Sequence, residues 1–288
     1  MSNLFLSFAA SAARLLPLPL KRALYRSGPL ARMIRKGLNR AAPEELVQVT
    51  IAAGRLAGAT MILDLQQEKD YWLGTYEPEL QQAIMDWVRP GMVIYDVGAN
   101  IGYMTLLFAK QVGESGKVFA FEALPSNFER LKNNVKLNRF NGRVVPIAKA
   151  VADGSGGLLF LPGPSRGTGK VQGSAGREFG NANPNQAIPV KGVSLDGIVF
   201  ENENPAPDVV KMDIEGGEVL AIPGMRRILR EQRPVVLLEL HGPESARIAW
   251  ESFTEAGYKI LHMSSGYPEI PGLAALSWKS YIVAKPVG

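Results

Sequence analysis

Asp96 ends the apolar run Val93-Ile94-Tyr95 and is followed by Val97-Gly98-Ala99-Asn100-Ile101-Gly102, then by a helical pattern over residues 103–109. A strand that stops at an acid, a small-residue turn and a helix form the first half of a βαβ unit whose turn lets a ligand approach the backbone. Gly98 and Gly102 remove the Cβ atoms that would block that approach. Their spacing is G-x-x-x-G, without the G-x-G-x-x-G of dinucleotide sites. An acid here would repel a pyrophosphate and attract an ammonium or a sulfonium, and S-adenosylmethionine carries both cations. Glu122 closes the next strand, Lys117-Val118-Phe119-Ala120-Phe121. It lies about 24 residues beyond Gly98, where folds of this type place a carboxylate on the ribose hydroxyls. The pair of acids points to an adenosyl ligand.

A second group of polar residues lies further on. In Val209-Val210-Lys211-Met212-Asp213-Ile214-Glu215, strand alternation puts Lys211, Asp213 and Glu215 on one side. Central parallel strands are apolar on both faces, and burying unpaired charge is costly. The pattern therefore reads as a strand running out into a site, or else as a mutually paired ion cluster. The run Val235–Leu240 ends in polar groups too, with Glu239 inside it and His241 after it. A histidine at a strand's carboxyl end is a functional candidate in a fold that binds ligands there; His262 reads as structural. Asp213, Glu215, Glu239 and His241 could gather a hard cation, but no metal is expected.

These residues need a scaffold to hold them. Over residues 44–78 the sequence predicts a β-meander (46–63) and then the aromatic turn Tyr71-Trp72-Leu73-Gly74-Thr75-Tyr76-Glu77-Pro78, whose acid Glu77 could floor or cap a pocket. Helical spacing covers 79–88 and 128–137. The strand at Val144–Ile147 runs into Ala150 and Val151, small apolar residues suited to an adenine face. Residues 153–192 hold ten glycines and four prolines. They read as a mobile flap over the site or as an irregular surface loop, with strands only at Leu158–Leu161 and Ala187–Val190.

Composition bounds the alternatives. The chain has 288 residues, 46% of them hydrophobic, and no cysteine. That excludes disulfides, thiolate metal sites and a cysteine nucleophile, and it fits a cytoplasmic location. No run reaches the ~18 apolar residues of a membrane-spanning helix. Net charge is +5, yet it belongs to residues 1–43, which carry Arg14, Lys21, Arg22, Arg26, Arg32, Arg35, Lys36 and Arg40 and no acid. The remainder is slightly acidic, which argues against a nucleic-acid-binding body. The arm is a basic amphipathic extension. It reads either as a helix packed on the body or as a peripheral contact with an anionic membrane. A signal peptide is disfavoured, because no cation precedes its apolar stretch.

The order Trp72–Glu77, Asp96–Gly102, Glu122, Val209–Glu218, Pro234–His241 resembles the FkbM family of S-adenosylmethionine-dependent methyltransferases over roughly residues 46–286. Its most specific pieces are Lys211-Met212-Asp213-Ile214-Glu215-Gly216 and the Asp-x-Gly-Ala-Asn-x-Gly turn. The resemblance implies an α/β fold of the class I methyltransferase, Rossmann-like type: seven strands, parallel except the last, with helices on both faces. The methyltransferase domain would span 44–288. It further implies a cofactor site of Asp96, Gly98, Ala99, Asn100, Gly102 and Glu122, with Ala150 and Val151 near adenine and Glu77 close by. The expected reaction is O-methylation of a hydroxyl on a small-molecule or glycan acceptor. A hydroxyl benefits from a group that takes its proton. Asp213 is the first candidate, His241 the second and Glu215 the third. The alternative is a membrane-peripheral protein that keeps the fold without catalysis.

Overall fold

The computed structural model describes residues 44–163, 168–176 and 186–288. The basic arm at 1–43 lies outside the described residues, as do parts of the flap. A hairpin opens the described chain, β1 (Val47–Thr50) pairing antiparallel with β2 (Thr60–Leu63). The expected meander is therefore a single hairpin. Asp64 ends it by accepting the backbone N–H of Gln66, and the chain turns into the short helix α1 (Lys69–Leu73). Next come α2 (Pro78–Trp87), β3 (Val93–Val97), α3 (Tyr103–Val112), β4 (Lys117–Phe121), α4 (Pro125–Leu137) and β5 (Val144–Ile147). Both α2 and α4 start with a proline, where the missing N–H costs nothing.

Four strands make a side sheet: β6 (Ala150–Val151), β7 (Gly156–Pro162), β8 (Gly169–Val171) and β9 (Ile188–Val193), in the order β6-β9-β7-β8. The glycine-rich stretch is thus more regular than its composition suggests. The chain continues through α5 (Leu195–Phe200), β10 (Val209–Met212), α6 (Glu218–Ala221), α7 (Arg226–Glu231), β11 (Val235–His241), α8 (Pro243–Glu255), β12 (Tyr258–His262) and β13 (Lys279–Pro286).

The main sheet has seven strands in the order β12-β13-β11-β10-β3-β4-β5. Neighbours from β11 to β5 are parallel, and β13 runs antiparallel to both β11 and β12. Successive strand residues face opposite sides, so two cores form. Ile94, Val118, Ala120, Val209 and Leu237 pack toward α2, α3 and α4. Tyr95, Phe119, Phe121, Val210 and Leu238 pack toward α5, α7 and α8. At a buried side chain's ~1.5–3 kcal/mol, these two layers dominate the stability. Among the described residues no helix is long and apolar enough to cross a membrane.

Candidate active site

The carboxyl ends of β3, β4 and β10 open onto a cavity of about 310 Å³. Its floor is the turn after β3. Gly98 sits at φ +76°, and a Cβ there would stand 2.0 Å from the Asp213 carbonyl oxygen. The turns after β3 and β10 therefore touch backbone to backbone, a contact that only glycine permits. Ala99 and Asn100 line the cavity. Gly102 does not; its left-handed backbone starts α3 and its missing Cβ makes room for Leu131.

Glu122 lines the cavity at the end of β4. Its carboxylate accepts the Asn100 N–H and the Leu124 N–H, each at 2.8 Å. Burial raises its pKa to about 7 against the pull of those two donors. Two oxygens held this way keep lone pairs for a ligand's hydroxyls. Ala150 and Val151 line the same cavity.

Asp96 is placed differently from its expected role. It is fully buried and is not part of the cavity wall. Its carboxylate accepts the Thr105 hydroxyl at 2.6 Å and lies 3.3 Å from the Lys211 ammonium. The two residues are register partners on adjacent strands. Lys211 itself lines the cavity and donates to the Gly98 carbonyl at 2.8 Å. Asp96 thus neutralises a lysine beneath the cofactor turn, and it offers a ligand no direct contact.

Tyr71, Tyr76 and Tyr103 form an aromatic wall, the rings of Tyr71 and Tyr103 stacked at 5.0 Å. Glu77, in the left-handed region at φ 38°, lines the cavity beside them. Burial and then the Glu239 charge raise its pKa. Phe160, Gly169 and Lys170 close the cavity from the side sheet. The segment after β8 is seated on the β10 turn, where Ala175 N–H donates to the Gly216 carbonyl at 2.9 Å.

Strand β10 stops at Met212, so Asp213 and Glu215 sit on the turn that follows it, Glu215 at φ 54°. Both line the cavity. Burial, then Glu239, pushes the Asp213 carboxyl well above the usual carboxylate range, against the pull of Lys211. His241 stands behind them, buried and outside the cavity wall. Its Nε2 lies 3.1 Å from Glu239, 3.6 Å from Glu215 and 3.9 Å from Asp213, and its Nδ1 lies 3.2 Å from Glu218. Burial opposes a charge on the ring, but the bonds to Glu218 and Glu239 outweigh it and raise the pKa to about 10. His241 is therefore an imidazolium near neutrality and has no lone pair with which to take a proton. The expectation that it titrates near neutrality as a base gives way to this arrangement. Atoms of Asp213, Glu239 and His241 lie within 4.8 Å of one another, a grouping that could also hold a cation.

A glycine turn beside a buried carboxylate, at the carboxyl edge of a seven-stranded sheet with one reversed strand, defines a class I methyltransferase. The sequence profile of the methyltransferase FkbM domain matches residues 96–260. The chain belongs to the FkbM family, and S-adenosylmethionine is its cofactor. It is 29% identical over 182 residues to the hexuronic acid methyltransferase AglP of Haloferax volcanii, covering 62% of this chain and 69% of that one. It is 27% identical over 180 residues to the 31-O-demethyl-FK506 methyltransferase FkbM of Streptomyces tacrolimicus, covering 55% and 69%. Among solved structures it is similar to an S-adenosylmethionine-dependent O-methyltransferase from Thermotoga maritima, at 15% identity and a TM-score of 0.44, covering 90% of this chain and 82% of that one.

The residues present fit that cofactor. Gly98 and Ala99 put small residues on the cavity wall, Glu122 faces the cavity, and the aromatic and aliphatic walls supply apolar surface. Glu218 and the side-sheet residues Phe160, Gly169 and Lys170 were not singled out as site residues by sequence reasoning, and Lys211 entered it only as a member of the charged group with Asp213 and Glu215. Lys211 and Glu218 did carry a signal, since both fall in the stretch Val209–Glu218 that takes part in the family resemblance.

Proposed function

We propose that this methyltransferase acts on oxygen, methylating a hydroxyl of a sugar or of another small natural product. The observation that supports the reading is Asp213: a carboxylate on the cavity wall, in backbone contact with the cofactor turn, whose affinity for a proton is raised by burial and by Glu239. A carboxyl shifted toward neutrality is suited to receive a hydroxyl proton. When bound, the cofactor supplies an electrophilic methyl group on a sulfonium. A hydroxyl that accepts the methyl group must give up its proton, and Asp213 on the cavity wall would take it. Glu122 holds the ribose, Ala150 and Val151 meet adenine, and the aromatic wall with the side sheet keeps water away. Glu215, exposed at the cavity mouth, is the reserve acceptor. The relatives' names are consistent with hydroxyl-bearing acceptors, one a hexuronic acid and one a demethylated FK506. The reading places the reaction in the cytoplasm.

The test is a screen with S-adenosylmethionine labelled in its methyl group. It offers D-glucuronic acid, D-galacturonic acid, D-glucose and a hydroxylated polyketide, and includes the Asp213→Asn variant. Labelled O-methyl product is expected, and Asp213→Asn should reduce turnover by ~10²–10⁴-fold with cofactor affinity little changed. Label on nitrogen or carbon, or normal turnover by a folded Asp213→Asn, would remove the reading.

A further inference from the structure

Glu218 is fully buried and lines no part of the cavity. It nonetheless gathers donors from three elements. Its Oε1 accepts the N–H groups of Ile214 and Gly216, at 3.4 and 3.3 Å, from the turn that carries Asp213 and Glu215. The same oxygen lies 3.2 Å from His241 Nδ1 at the end of β11. Its Oε2 accepts the Ser245 hydroxyl of α8 at 2.8 Å. A buried carboxylate adds little stability over an apolar side chain of the same shape, so its position calls for another explanation.

We propose that Glu218 is a positioning residue that clamps the His241 ring with Nε2 turned toward Asp213, and ties that ring to the turn bearing the proton acceptor. The inference rests on the reading of Asp213 as that acceptor. With a carboxylate on Nδ1 and others facing Nε2, the ring keeps both protons. The groups facing it are Glu218 from α6, Asp213 and Glu215 from the β10 turn, and Glu239 from its own strand; Lys279 of β13 in turn pairs with Glu239. Around Asp213 the field comes from Glu239 and Glu77, which favour its protonated form, and from Lys211 and His241, which favour its charged form. A fixed imidazolium thus offsets part of the push that burial and Glu239 give Asp213 toward its protonated form. Without the clamp the ring is free to turn or to lose its charge, and Asp213 is left among carboxylates.

Two measurements on the full chain test this. The sequence has two histidines, so a His262→Asn variant assigns the ring nitrogens of His241 by NMR. In the wild type both nitrogens should be protonated at about pH 7.5, and Glu218→Gln should bring the ring's titration down toward its ordinary range. Turnover of Glu218→Gln on the acceptor found in the screen should fall about tenfold or more, short of the ~10²–10⁴-fold for loss of a base. The KM for the cofactor should hold, and the acid limb of the kcat profile should move to higher pH. A neutral His241 ring in the wild type would overturn the proposal even if Glu218→Gln fails to fold. So would a folded Glu218→Gln with an unchanged ring and unchanged limb, or activity lost to EDTA and restored by Mg²⁺, which would make the cluster a cation site. Impaired Asp213→Asn beside unimpaired Glu218→Gln removes only the clamp; normal Asp213→Asn removes the underlying reading.

Discussion

Glu122 has one proton equilibrium with two opposite consequences. Its pKa rises from an ordinary 4.5 to about 7 in the folded protein, chiefly through burial. Between those values the folded chain keeps a proton that the unfolded chain has released, so the unliganded protein loses stability as pH rises through that window. In the role proposed for Glu122, cofactor binding runs the other way, because only the carboxylate would accept two ribose hydroxyls. Calorimetry with S-adenosylhomocysteine should show affinity falling by up to about tenfold per pH unit below about 7. Glu122→Gln should bind weakly and without that pH dependence. A wild-type affinity that is flat from pH 5 to pH 8 (roughly the range where a carboxyl shifted this far would titrate) contradicts the assignment. The Asp96–Lys211 pair invites a different measurement. Lys211→Met removes the ammonium beside a fully buried carboxylate and leaves it the Thr105 hydroxyl. Urea denaturation should show a loss of about 3–5 kcal/mol, whereas a loss under about 1 kcal/mol would mean that Asp96 is neutral when buried.

At the scale of elements, the contact between the turns after β3 and β10 is the joint that fixes the site. Gly98→Ala would drive a methyl group to 2.0 Å from the Asp213 carbonyl at a left-handed φ. Strain of about 1–3 kcal/mol should appear as a lowered denaturation midpoint, and S-adenosylhomocysteine affinity should fall with it. A variant with normal midpoint and affinity would show that the joint is looser than described. Most of the elements were legible in the sequence because β3, β4, β10 and β11 are apolar runs that end in polar groups. The cavity-lining positions of Gly98, Glu122, Asp213 and Glu215 followed from where those runs stop, and that of Asn100 from the family resemblance. The burial of Asp96 was not legible: it depends on the register that sets Lys211 beside it, and register between distant strands leaves no local trace. Nor was the Glu218–His241 contact, which joins a helix start to a strand end 23 residues away. Strand β8 was hidden because Gly169-Lys170-Val171 is too short and too glycine-rich to show alternation.

Across the whole molecule, the side sheet and the main sheet meet where the segment 174–176 rests on the β10 turn. Gly216 is at φ +97°, and a Cβ there would lie 2.0 Å from the Ala175 carbonyl. Gly216→Ala should therefore lift this segment off the cavity. Limited proteolysis should cut within 153–192 faster than in the wild type, and catalytic efficiency should drop while the main sheet melts nearly as before. Unchanged protection of that segment would show that the seat does not hold it. The two ends of this insertion share one anchorage, β6 and β9 pairing in parallel at Ala150–Gly192 and Val151–Val193. An excursion that leaves and re-enters the fold at neighbouring points can be lifted out whole without asking the seven-stranded sheet to move. In an engineered chimera, the stretch between residues 152 and 191 then behaves as a removable cassette. Exchanging it for a relative's counterpart should transplant acceptor preference while the donor machinery stays with this chain.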